Sequence, residues 1–153
     1  VLCQATDTAG LLATLCEELD YLAKAEPAQT DTTLLIHPGV LNDFLDFNDF
    51  LEVADAAVDE LGLAGVLQVA SFHPQFQFDG TEPDDIENYT NRAPYPTLHL
   101  LREESIDRAV EAFPQAEAIF ERNVERLEEL GMDGWTAWDV AARRAPVGEG
   151  EGV

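Results

Sequence analysis

Three histidines are the only imidazoles in the chain, and two of them share a context: His37 and His73 each precede a proline and each follow an apolar run, TTLLI and GVLQVASF. Short β-branched apolar runs read as buried strands, so each His-Pro pair marks a strand end. The third, His99, sits inside TLHLL, which reads as another strand. If the first two strands are parallel and the last returns antiparallel, all three rings approach one carboxyl edge of a sheet, where open α/β sheets hold their ligands. Imidazoles in such a place do acid/base chemistry or bind metal. Three with an open position suit catalytic zinc, and iron, copper and nickel also take imidazole. No HxH or HExxH spacing announces a site, so the convergence rests on topology alone. The plainer reading is that His37 and His73 end strands against nearby carbonyls and that His99 is a satisfied core residue.

The remaining polar candidates lie between GVLQVASF and TLHLL: Asn88, Tyr89, Thr90, Asn91 and Arg92, followed by APYP. Arg92 stands out because a guanidinium offers a planar fork for a carboxylate or phosphate. An ordinary surface pairing with Asp84, Asp85 or Glu87 competes with that role. Arg102 alternates to the face opposite His99 along its strand. Ser71 shares a face with His73, yet no acid partner is placed by the sequence, and Cys3 falls too far before the edge to act as a nucleophile. There is no GxGxxG, phosphate loop or GxSxG elbow.

Elements must position these residues. Residues 1–6 are short and apolar and read as the first strand, and Asp7 stands as N-cap before a helix with a stripe of Leu12, Leu15, Leu19 and Leu22. Residues 32–36 read as the second strand. Residues 41–61 carry Leu41, Phe44, Leu45, Leu51, Ala54, Val58 and Leu61 at three-and-four spacing, with Gly62 in the stop position and an acidic outer face. Phe44, Phe47 and Phe50 have the spacing of a cofactor stripe but fit the core better under that period, while Asp46, Asn48 and Asp49 mostly face solvent, with room for one of them to turn toward the sheet edge. Residues 65–72 form the third strand and residues 97–101 the fourth. Between them, residues 75–96 show no period, and a loop of that length is usually functional or disordered. Ser105 caps a helix over residues 106–113, Pro114 interrupts it, and a second helix runs through Ile119, Phe120, Val124, Leu127 and Leu130 to Gly131; residues 134–145 add a short helix through Trp135 and Trp138. The expected order is βαβαββαα: an α/β (α+β) domain over residues 1–145 with a mixed four-stranded sheet, parallel neighbours joined by helical crossovers, and a disordered acidic tail over residues 146–153.

Charge limits the partners. The chain has 153 residues, 31 acidic and 8 basic side chains and a formal net charge of −23, and Lys24 is its one lysine. Phosphate backbones and anionic membranes both need a positive face, so neither nucleic acid nor membrane is an expected partner. With no long apolar run and no basic-then-apolar leader, a cytoplasmic location is expected, with Cys3 and Cys16 reduced. The same acidity fits solubility in a salty cytoplasm.

The strings TTLLIHP, DFLDFNDFLEVADA, LQVASFHPQFQF and DDIENYTNRAPYPTLHLLRE, with ERN at Glu121 to Asn123, resemble the bacterial family called domain of unknown function 1415 over roughly residues 32–131. The resemblance implies a small bacterial cytoplasmic protein and brings no activity. Its pattern includes an upstream Cys-Pro-Phe absent here, so the natural chain is expected to begin further upstream, and whether an upstream thiol joins the site stays open. Two functional expectations follow. In the first, a carboxyl-edge pocket acts on or binds a small anionic molecule, with His73 and His37 as acid/base groups or as ligands, with His99, of a divalent transition metal, and with Asn91 and Arg92, helped by Asn88, Tyr89 and Thr90, orienting the substrate. In the second, the chain is a non-catalytic module that binds a protein partner and its histidines are structural.

Overall fold

The structure is a computed structural model that describes residues 1–113, 115 and 117–138. The expected tail over residues 146–153 and the far part of the expected helix over residues 134–145 lie outside the described residues.

Asp7 is extended and its carboxylate accepts the Gly10 N–H at 2.7 Å, which satisfies one free donor of the first turn of helix α1 (Thr8–Lys24). Leu11, Leu15, Leu19 and Leu22 of this helix are buried on one stripe. Strand β1 (Thr32–Ile36) follows, then helix α2 (Phe44–Glu60). The helix starts later than its apolar spacing suggests. Asp43 ends the non-helical entry, its Oδ1 accepting from the N–H groups of Leu45 at 2.9 Å and Asp46 at 3.2 Å. Before it, Leu41 has a φ of 60°, a left-handed conformation that costs a branched side chain about 1–2 kcal/mol. Strand β2 (Leu67–Phe72) and strand β3 (Thr97–Arg102) are separated by irregular chain with a single 3-10 turn at Ile86–Asn91. Helix α3 (Glu103–Ala112) begins directly after β3, ahead of the expected cap; Ser105 lies in its first turn and donates instead to Asp31 Oδ1 at 2.6 Å. Helix α4 (Glu117–Ala137) is broken at Gly131, whose φ of 63° marks a kink at the expected stop.

The sheet differs from expectation. It has three strands in the order β1-β3-β2, and both pairings are antiparallel. Thus β1 and β2 point the same way, as expected of a helical crossover, but they are not neighbours. The α2 crossover skips one strand position, and β3, returning without a helix, fills the slot. Residues 1–6 make no fourth strand. Leu2 forms one isolated parallel bridge to Ile36, supported by Cys3 N–H to Ile36 O at 2.8 Å and Ile36 N–H to Val1 O at 2.9 Å. The chain then passes so close to the turn after β1 that a Cβ on Gly39 would meet Ala5 O at 2.8 Å.

One sheet face, with Thr33, Leu35, Leu67, Leu98 and Leu100, packs under α1 and α2, whose Phe47, Phe50, Ala54 and Val58 complete the core. Full burial of Phe47 alone contributes about 1.5–3 kcal/mol. Arg102 ends this face. Its Nη2 donates to the carbonyl oxygens of Leu22 (2.7 Å), Ala25 (2.7 Å) and Thr30 (3.0 Å), closing the end of α1 and the turn into β1. Both cysteines are free, and no described helix is long and apolar enough to cross a membrane.

Candidate functional site

Ile36 and Phe72 both pair with Thr97, so the residues after them, His37 and His73, flank the entrance of β3 on its two sides. Their backbones are fixed there: His37 N–H donates to Pro96 O and His73 N–H to Asn91 O, each at 3.1 Å. Both side chains are fully buried and lean on Phe47, with ring centroids 5.8 Å away for His37 and 4.9 Å for His73. A carbonyl oxygen can only accept, which assigns the protons. His37 Nδ1–H donates to Val40 O at 3.1 Å. His73 Nε2–H donates to Leu41 O at 3.1 Å, and His73 Nδ1 accepts the Gln75 N–H at 3.0 Å. The two rings therefore hold the carbonyls of two successive residues in the left-handed entry to α2. Nε2 of His37 is buried with no hydrogen-bond partner among the described residues. Burial pushes the His37 pKa below its ordinary value; the bond to Val40 opposes this and a charge on His73 would add to it.

His99 does not join them. Side chains alternate along β3, and the face shared by His99, Leu34 and Ala70 is the one turned away from α1 and α2. Thr32 gives its hydroxyl proton to Leu100 O at 2.7 Å, so His99 Nε2–H is the donor in its 2.6 Å contact with Thr32 Oγ1. Burial lowers the His99 pKa as well. The expected ligand set of His37, His73 and His99 is thereby split across the sheet, and no group of three His, Cys, Asp or Glu side chains among the described residues could hold a metal. The topology that brings the rings to one edge does not bring them to one face.

The polar residues before β3 are engaged in building their own loop. Asn88, fully buried, accepts from Phe78 N–H at 2.8 Å and Thr81 Oγ1–H at 2.9 Å and donates to Glu82 O at 2.7 Å. Asn91 donates to Ser71 O at 3.2 Å, and the Thr90 hydroxyl bonds Glu87 O and Asn91 Oδ1, each at 2.9 Å. Tyr89 is packed edge-on to Trp135 of α4. Arg92 lies over the Tyr89 ring at 4.4 Å and donates through Nε to Phe76 O (3.0 Å) and through Nη2 to Pro83 O (2.8 Å). Asn88→Ala is expected to lower stability by about 2–3 kcal/mol, because Phe78 N–H and Glu82 O lose their partner; urea unfolding measures this, with limited proteolysis between residues 75 and 96 as the local readout.

Two of the clefts among the described residues adjoin α2. One, of about 450 Å³, sets Arg92 with Asp43, Phe44, Gln75, Gln77 and Asp84. The other, of about 580 Å³, lies between the start of α1 and α2, with Leu12, Leu41, Phe50 and Val53 as its apolar surface and Asp46 and Asp49 among its walls. Sequence periodicity places these two acids on a solvated face and does not mark the cleft, because the left-handed position of the turn falls on Leu41, which contributes a wall, and not on Gly39 or Asn42 nearby.

The model of a family described as protein of unknown function, DUF1415, matches residues 1–137, extending to both sides of the motif strings. No curated protein and no solved structure matches the chain.

Proposed function

Because the chain belongs to the DUF1415 family, whose description carries no activity, we propose its function from the site itself: a non-catalytic module that docks a protein partner, with His37 and His73 serving the fold. The observation that carries this reading is the full burial of both imidazoles against Phe47, with ring N–H groups turned to the carbonyls of Val40 and Leu41. A general acid or base must come within hydrogen-bond reach of its substrate, and neither ring has solvent exposure through which a substrate would meet it. The strongly acidic surface favours a basic partner, with attraction that steers encounter and weakens in salt.

Diethyl pyrocarbonate, which acylates accessible imidazoles, tests it. Native protein is expected to leave His37 and His73 unmodified by peptide mass analysis and to modify both once unfolded in urea. Acylation of either ring at the rate of a free imidazole in native protein would overturn the reading.

A second reading keeps a small anionic ligand, supported by the place of Arg92 on the 450 Å³ cleft beside Gln75 and Gln77. It has to overcome Asp43 and Asp84 in the same lining. Titration with phosphate and with acetate, followed at the Arg92 Nε–H resonance, decides it: a saturable shift supports an anion site, and an unmoved resonance removes it.

A further inference from the structure

We propose that the cleft between α1 and α2 receives a segment of a protein partner that presents an apolar side chain flanked by lysine or arginine. This deepens the docking reading above and rests on it. The cleft offers an apolar floor from Leu12, Phe50 and Val53, and Val53 is 41% exposed although it sits on a packed helix. Leu41 closes one side from a left-handed backbone whose carbonyl His73 holds, so this wall is kept in place at a cost in strain. Asp46 and Asp49, one turn apart on α2, are exposed in the same lining, and neither takes part in an ion pair among the described residues.

These features divide the work of binding. Exposed carboxylates contribute little affinity by themselves because water and salt screen them. Affinity then comes from covering Leu12, Leu41 and Val53, and the two acids select the flanking charge and speed encounter. A partner that is only basic lacks the first contribution. One that is only apolar gains nothing from Asp46 and Asp49 over any other oily segment, and an acidic segment, including most of this chain's own surface, is repelled.

The test uses three synthetic helical peptides of equal length, built of lysine with leucine, lysine with serine, and glutamate with leucine. Binding is read by fluorescence anisotropy at low salt and mapped by amide chemical shifts. The lysine-leucine peptide is expected to bind with shifts centred on Thr8, Leu12 and Val53, the other two at least tenfold more weakly. Asp46→Asn combined with Asp49→Asn should slow its association and weaken its binding about threefold at low salt, and both sites are exposed, so the fold is kept. Equal binding of the lysine-leucine and lysine-serine peptides, no binding of either, or insensitivity to the double substitution overturns the proposal. Shifts centred instead on Asp55, Asp59 and Glu60 remove the cleft while leaving the docking reading intact, and that reading fails separately through native acylation of His37 or His73. Sedimentation of the unliganded protein as a dimer that Val53→Glu dissociates would assign the cleft to a second copy and likewise overturn the proposal.

Discussion

Arg102→Met is expected to lower the free energy of unfolding by about 3–5 kcal/mol, a large part of the total of a domain this size. Methionine fills the stem's space, so the loss isolates the guanidinium. Three carbonyls, those of Leu22, Ala25 and Thr30, depend on one nitrogen of Arg102. Two of them belong to the last turn and cap of α1, where helical oxygens have no partner of their own. Removing the donor leaves these oxygens at a site from which water is largely excluded, since Arg102 is 9% exposed. The ion pair is a minor contributor. Asp31 Oδ1 is 3.9 Å from Nε, too long for a hydrogen bond, and its side chain is mostly in water. Asp31→Asn should therefore cost under about 1 kcal/mol. Urea unfolding of the two variants separates the contributions, and equal losses would show that charge, not carbonyl closure, is what Arg102 provides.

Acid should loosen the protein through its buried imidazoles. The folded-state pKa of His37 is lowered, chiefly by burial, so below its unfolded value near 6.5 the unfolded chain binds more protons than the folded one. Its contribution to stability is fully present above that pH and is lost as the pH falls toward the folded pKa. His99 has the same sign from the same cause. Each proton taken up on unfolding tilts stability by about 1.4 kcal/mol per pH unit. Between pH 7.5 and 5.5 the urea midpoint is expected to fall, most of it below about pH 6.5, and less steeply in His37→Gln. The structural consequence is local. A proton added to His37 Nε2 would lie unpartnered beside Phe47 and beside the Nδ1–H bond to Val40 O. Amide exchange should therefore rise first around residues 38–42. An identical pH slope in His37→Gln would show that other groups carry the acid sensitivity.

Local rules made much of this legible from sequence. Asp7 before a leucine stripe, the His-Pro strand ends and the alternation that sets Arg102 opposite His99 all depend on neighbours in the chain, and they hold in the structure. What failed depended on distant partners. Whether β1 and β2 touch is decided by where β3 enters, and nothing in TTLLI or LQVASF encodes that choice. The same strand alternation, applied to His99 against its cross-strand partners rather than to Arg102 alone, separates it from the other two histidines once the register is known. Asn88 and Arg92 have residue types suited to a ligand, and that their loop also supplies them with carbonyls and amides is revealed only by the folded chain. Leu41 was illegible for the opposite reason: its conformation is one that its side chain disfavours, and distant His73 holds it.

The central place of β3 also governs the order of events during synthesis. Every strand pairing in the sheet has β3 on one side, and Thr32 waits for Leu101 and Leu67 for Arg102. As the chain leaves the ribosome, β1 and β2 emerge without their partner in the sheet, and α1 and α2 can pack only against each other and against unpaired strands. Productive assembly is therefore withheld until residue 102 is free, and then three segments join at once. Nascent chains stalled just before β3 should be open to protease throughout, and those stalled well beyond it should be protected.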